Sequence, residues 1–268
     1  MNILILGDVV GSTGREQIKT QLEKLINEKQ IDFVVINGEN AAEDGKGITE
    51  SIAQEFFKCG ADVITSGNHI WDKTGTTNFI ERENRLLRPE NLAKGSPGNG
   101  FGIYKTKNKK YKVAVINLMG NVYMRKTEDV FKCAENLRDK IRLKENADFI
   151  IIDFHGEITS EKNAIGHFFD GKATAVVGTH THIPTADSRI LNDGTAYQTD
   201  IGMCGDYNSV IGMNKENSIL KFLGDKNSKK HFPAEGEATL SGIIVKADKD
   251  TGLALEIKRY IKGGVFKN

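Results

Sequence analysis

The sequence predicts an α/β fold with a mixed two-sheet core. Three observations predict it. Short apolar runs alternate with helix-patterned stretches from the first residues onward, further such runs flank a lysine-rich turn near the middle, and the end of the chain is rich in strand-like segments. A β-α-β-α order favours a parallel sheet covered by helices, and strands gathered at the end add antiparallel pairs.

Residues 2–6 (NILIL) read as a buried strand, and 14–28 set Ile18, Leu22, Leu25 and Ile26 at helical spacing. A second strand is expected at 32–37, a helix opened by Thr49 at 49–58, a third strand at 61–66 and a short helix at 73–82. Residues 100–120 read as two strands around a lysine-rich turn, 127–145 as a long helix and 148–153 as another buried strand. A strand at 173–178 comes after a short helical stretch. Strands are then expected at 186–191, 195–198, 239–247 and 253–262, with the hairpin signal Asn192-Asp193-Gly194 between the first two. No internal repeat and no Pro- or Ser-rich linker divides the chain, so residues 1–268 are read as one domain.

Thirty-seven Lys and Arg against 36 Asp and Glu leave a net charge of +1, which excludes an overall basic character as the basis for binding nucleic acid. Charged residues at 27% and apolar residues at 38% fit a soluble globular protein and argue against wholesale disorder. Cys59, Cys133 and Cys204 are odd in number and far apart, so they form neither a disulfide framework nor a CxxC metal site. No apolar run approaches the ~18 residues of a membrane span. The opening MNILILGDVV lacks a basic segment and reads as a strand, not a signal peptide. The expectation is a cytoplasmic protein with no membrane partner.

The residues just past the apolar runs point to chemistry. Five strands end on Asp8, on Glu39 and Asn40, on Asn68 and His69, on His155 and Glu157, and on His180 and His182. Ligands of α/β sheets bind beyond such C-terminal ends, where loops from neighbouring strands converge. Singly, each residue has an ordinary explanation: an Asp after a strand serves a turn, and a lone His fills a core or a rim. Together they are hard to obtain by chance, and His-Thr-His at 180–182 can place both imidazoles on one ion whether extended or looped. The donors are oxygen and nitrogen with no thiolate, which suits iron, manganese, zinc or cobalt. There are more of them than one ion needs. Two ions about 3.5–4 Å apart would use them, sharing a carboxylate and a hydroxide that attacks a phosphate ester in line.

GD at 7–8, GNH at 67–69 and GTHTH at 178–182 resemble the motifs of the calcineurin-like metallophosphoesterase superfamily. GDVVGSTGR (7–15), NGENAAEDGKGIT (37–49), SGNHIWD (66–72), DFHGE (153–157), VGTHTHIPTAD (177–187) and TDIGM…SVIG (199–212) resemble its YmdB-like branch more closely, over essentially the whole chain. The resemblance implies a four-layer α/β/β/α metallophosphoesterase sandwich with mixed sheets. It implies that Asp8, Glu39, Asn40 and His182 hold one metal and Glu39, Asn68, His155 and His180 the other, with Glu39 bridging and His69 as general acid. The cofactors implied are two divalent or trivalent first-row ions, iron or manganese first and zinc or cobalt next. The activity implied is hydrolysis of 2′,3′-cyclic nucleotides, with 3′,5′-cyclic nucleotides and other RNA-derived esters as further substrates. Assembly into a homo-oligomer is left open. Val10 stands where the superfamily carries the histidine of GDxH, and Glu39 replaces its bridging aspartate; both fit the branch. Gly205-Asp206 departs from the branch's Gly-Pro, on a loop expected to reach substrate.

Other features are set aside. Gly7, Gly11 and Gly14 do not form GxGxxG, and Gly11–Gly14 reads as a turn and helix cap. Lys105, Lys107, Lys109, Lys110 and Lys112 read as a solvated hairpin. His167 reads as structural, His231 as solvent-facing, Trp71 as packing or pocket lining, and Asp72 as a surface carboxylate at a helix start. The alternatives to a phosphodiesterase are a phosphomonoesterase or nucleotidase, and a non-catalytic regulator that binds nucleotide or RNA.

Overall fold

In a computed structural model, which describes residues 1–266, thirteen strands and six helices succeed one another along the chain. The first part holds β1 (Asn2–Leu6), β2 (Asp8–Val9), α1 (Gly11–Lys29), β3 (Phe33–Asn37), α2 (Glu50–Cys59), β4 (Val63–Thr65) and α3 (Thr76–Arg82). The middle holds β5 (Phe101–Lys105), β6 (Lys112–Met119), α4 (Val130–Lys140), β7 (Phe149–His155), α5 (Thr159–Phe168) and β8 (Ala175–Thr179). The remainder is β9 (Arg189–Ile190), β10 (Ala196–Gln198), β11 (Met203–Asp206), α6 (Lys215–Phe222), β12 (Ala238–Ala247) and β13 (Ala254–Gly263).

Two mixed sheets form. One has the order β2-β11-β12-β1-β3-β4 with β13 beside β12, the other β5-β6-β7-β8-β10-β9. In the first, β1, β3 and β4 are parallel and β12 runs against β1. In the second, β6, β7, β8 and β10 are parallel, with antiparallel β5 and β9 at the edges. Alternation along each strand builds the layers. Ile3 and Ile5 of β1 join Phe149 and Ile151 of β7 between the sheets, while Leu4 and Leu6 face Ile18 and Leu22 of α1. Ile150 and Ile152 of β7 face Ala134 and Leu137 of α4. The result is the expected order of helices, sheet, sheet, helices. Each fully buried aliphatic or aromatic side chain in the inter-sheet layer contributes roughly 1.5–3 kcal/mol of transfer free energy.

The structure differs from the sequence reading in several elements. The long helix expected at 127–145 is α4, eleven residues, because Asp129 accepts from Phe131 N–H and Lys132 N–H and so caps it late. It ends early because the Asn146 amide takes the Lys140 carbonyl and the Arg142 N–H. The first helix begins at Gly11 with no side-chain cap. Gly205-Asp206 belongs to β11, a strand that no apolar run predicts. Asp206 is buried there and accepts from Asn208 N–H and Gly236 N–H, so it faces backbone and not substrate. Helix α6 has no counterpart in the sequence reading either: its Ile219 and Phe222 point to solvent, so no apolar stripe announces it. His167 lies exposed in the last turn of α5, and Trp71 packs against the core under β1 and β3.

Candidate metal centre

Strand alternation carries through into the site. On their inter-sheet faces β3 runs Phe33, Val35, Asn37, β4 runs Val63, Thr65, β7 runs Phe149, Ile151, Asp153, His155, and β8 runs Ala175, Val177, Thr179. The apolar layer thus gives way to a polar one at the same level in four parallel strands. Asp153 collects that level: it accepts from Asn37 Nδ2 at 2.9 Å, Thr65 Oγ1 at 2.5 Å and Thr179 Oγ1 at 2.7 Å. Burial pushes its carboxyl up to about 6, and the three hydrogen bonds hold that rise in check. Nothing in the apolar runs announces this floor, and only the facing of the two sheets reveals it.

Above the floor the structure gathers Asp8, Glu39, Asn40, Asn68, His155, His180 and His182. The outer hydrogen bonds of the three histidines fix their tautomers. Thr179 Oγ1 gives its proton to Asp153, so it accepts from His155 Nδ1 at 3.0 Å and leaves Nε2 as a lone pair. That lone pair lies 3.0 Å from Glu39 Oε2, 3.2 Å from Asn68 Oδ1 and 3.0 Å from His180 Nδ1. His180 turns its Nε2 to the Glu157 carboxylate at 3.1 Å, which makes its Nδ1 the acceptor. On the other side His182 Nδ1 donates to the Ile211 carbonyl at 2.8 Å. Its Nε2 lone pair therefore faces Asn40 Oδ1 at 3.2 Å and Asp8 Oδ1 at 4.0 Å. Asn40 has no freedom to turn its amide over, since its Nδ2 donates to the Gly45 carbonyl.

Acceptors therefore face acceptors across both halves of the cluster. Among the described residues, Asp8 Oδ1 and Glu39 Oε2 are buried with no hydrogen-bond partner. Lone pairs packed this closely repel unless a cation sits among them, and Glu39, His155 and His180 each offer an atom within 4.8 Å of the others. The donor set fits first-row metal ions. Burial drives Asp8 up to about 8 and Glu39 up to about 7, against the attraction of nearby histidines. Burial also lowers His155 to about 4 and keeps His180 and His182 below the ordinary imidazole range. All three imidazoles are thus neutral, the form that ligates metal.

Close approach also explains the glycine of Gly67-Asn68-His69. A Cβ on Gly67 would lie 1.8 Å from Glu39 Oε2 and 2.2 Å from the His155 ring. The His69 imidazole lines the cavity beside the donors. Its Nδ1 is 2.6 Å from Asp72 Oδ2, so Asp72, exposed as expected, serves the imidazole and not a helix start. Helix α3 begins only at Thr76, and the 69–75 turn folds Asp72 back onto the imidazole, where exposed Arg125 also reaches it at 3.5 Å.

The sequence profile of the YmdB-like protein family matches residues 4–260. The chain belongs to the YmdB-like family. It is 45% identical over 262 residues to a Bacillus subtilis protein named 2′,3′-cyclic-nucleotide 2′-phosphodiesterase, covering 97% of each chain. A crystal structure of a phosphatase from Mycoplasma pneumoniae superposes with a TM-score of 0.89 at 36% identity, covering 98% of this chain and 93% of that one. A Thermus thermophilus protein gives the same TM-score at 32% identity, with 98% and 100% covered.

In this YmdB-like chain a cavity of about 280 Å³ opens beside the donors, with Lys46, His69, Ile211 and Met213 among its walls. Larger clefts near Arg88 and near Arg15 contain none of the donors. Val10 is buried against the backbone of β11, which leaves that position without an imidazole. Cys204 is buried and its thiol is pushed up to about 12, so it is inert. No helix among the described residues is long and apolar enough to cross a membrane.

Proposed function

We propose that the chain is a two-metal phosphodiesterase that opens the 2′ ester of 2′,3′-cyclic nucleotides. The observation that carries the substrate class is the 45% identity, over 97% of the chain, to the Bacillus subtilis enzyme of that name. The facing lone pairs support the metal requirement. Asp8, Glu39, Asn40 and His182 would hold one ion, and Glu39, Asn68, His155 and His180 the other. When bound, such ions neutralise phosphoryl charge and acidify the attacking water. Iron or manganese suits the mixture of imidazole, carboxylate and amide oxygen. The three thiols are unpaired, in keeping with a cytoplasmic setting.

The chain's own groups account for the rest. Thr179 and Glu157 hold the inner imidazole nitrogens of His155 and His180 unprotonated. Asp72 holds His69 Nδ1, which leaves Nε2 to deliver a proton to the departing 2′ oxygen. Water adds to phosphorus, the bond from phosphorus to the 2′ oxygen breaks, and that oxygen leaves as a hydroxyl on a nucleoside 3′-phosphate. The cavity of about 280 Å³ beside the donors would receive the phosphate, and half-exposed Ile211 lines its wall.

Metal-loaded protein offered 2′,3′-cAMP, 3′,5′-cAMP and AMP in parallel is expected to convert the first to 3′-AMP, to stop with chelator and to recover with Mn²⁺. Free phosphate from AMP alone would replace this reading with a phosphomonoesterase, and no turnover at substoichiometric protein would replace it with a binding protein. Asp72→Asn keeps an acceptor for His69 Nδ1 but removes the carboxylate charge beside it. It is expected to lower kcat about tenfold with KM little changed, less than the roughly 10²–10⁴-fold that the acid itself contributes. Steady-state kinetics on 2′,3′-cAMP checks this, and an unchanged kcat would detach Asp72 from the mechanism.

A further inference from the structure

Lys162 on α5 and Asp200 in the β10–β11 connection are 1% and 0% exposed, and Lys162 Nζ lies 2.7 Å from Asp200 Oδ2. A buried ion pair is costly unless its remaining lone pairs are satisfied. Here they are. Asp200 Oδ2 also accepts from Thr181 N–H at 3.2 Å and Thr181 Oγ1 at 2.7 Å, and Oδ1 accepts from Gly202 N–H at 2.8 Å.

One partner of this carboxylate adjoins two donors of the metal centre, and the other two press on residues one or two places from a donor. Thr181 stands between His180 and His182, whose φ angles are +96° and +66°. Side chains with a Cβ rarely adopt that left-handed region, and two such residues flanking one threonine persist only where the surroundings over-determine them. Asp200 grips the middle residue by both its backbone and its hydroxyl. Gly202, held by the other oxygen, presses on Gly7: a Cβ at Gly7 would lie 1.8 Å from the Gly202 carbonyl. Asp8 is the next residue, and its Oδ2 accepts from His180 N–H at 3.2 Å. The stem of Lys162 runs along the end of β8, where a Cβ on Gly178 would lie 2.9 Å from its Cδ.

We propose that Lys162 and Asp200 are positioning residues, a buried clamp that sets Asp8 from one sheet against His180 and His182 from the other. Asp8, Glu39, Asp153 and Asp200 crowd one interior. The inference rests on reading the site as a metal centre.

The paired substitution Lys162→Met with Asp200→Asn removes both charges together and strands neither. Thr181→Val removes one hydroxyl and keeps the branched Cβ. Supporting groups around metal ligands typically cost about 10–100-fold in affinity or activity when removed. Each variant of the full chain is therefore expected to bind Mn²⁺ at least about tenfold more weakly by calorimetric titration. Turnover of 2′,3′-cAMP should fall with KM little changed, recovering in part at saturating Mn²⁺, while the metal-free Thr181→Val protein melts near the wild type. Wild-type Mn²⁺ affinity and kcat in a folded Thr181→Val protein would overturn the clamp, whether or not the paired variant folds. A wild-type chain that takes up no Mn²⁺ at all would overturn the metal reading first and the clamp with it.

Discussion

Glu39→Ala is expected to empty the site of metal and to lower turnover about a thousandfold or more, the scale of several kcal/mol of lost charge stabilisation. Glu39 is the carboxylate proposed above to serve both ions. Its Oε2 is 3.0 Å from His155 Nε2, is buried, and has no hydrogen-bond partner. Neutral imidazoles and amides cannot balance two dications, so the loss of this carboxylate falls directly on affinity. Metal analysis of protein purified from manganese-supplemented cells checks it, and an unaltered metal-to-protein ratio would contradict the bridging role.

The same carboxylate carries a pH signature. Burial raises Glu39 to about 7 and Asp8 to about 8 in the metal-free protein, well above the range of an unfolded chain. The native state then holds more protons than the unfolded state, so stability falls as pH rises. The contribution is complete below the ordinary carboxylate range and is lost as pH climbs through about 7 to 8. Metal must displace those protons, so its apparent affinity rises over the same window. Glu39→Gln in chelator is expected to flatten the dependence of melting temperature on pH relative to chelated wild type. Parallel curves for the two proteins would remove Glu39 from the titration.

The donors of the candidate site were legible because parallel strands present all their C-termini at one edge. A residue just past an apolar run is therefore already located, as Asp8, Asn68 and His180 show. The groups that orient those donors were not legible. Asn37, Thr65, Asp153 and Thr179 look like ordinary strand ends, and only the packing of sheet on sheet turns them toward one another. Asp72 lies outside any strand or helix, and its reach to His69 depends on the 69–75 turn. Lys162 drew no reading from the sequence, and it is buried because Gly178 leaves room for its stem. Strand β11 is short and is specified by pairing with β2 and β12, distant in the chain, and not by any pattern of its own.

His69→Ala is expected to retain the metals and lose most turnover. The ring is tied to Asp72 through Nδ1 and lines the cavity, outside the set of lone pairs that face one another. General acids contribute about 10²–10⁴-fold, and that contribution depends on how poor the leaving group is. A ribose 2′ oxygen departs badly without a proton, whereas a nitrophenolate departs well. The variant should therefore lose about 10²–10⁴-fold in kcat on 2′,3′-cAMP but far less on bis(p-nitrophenyl) phosphate. Metal content should match wild type in the same preparations. Equal losses on the two substrates, with metal retained, would show that His69 positions the phosphate instead of protonating the leaving oxygen. Unchanged turnover on 2′,3′-cAMP would remove it from the mechanism altogether.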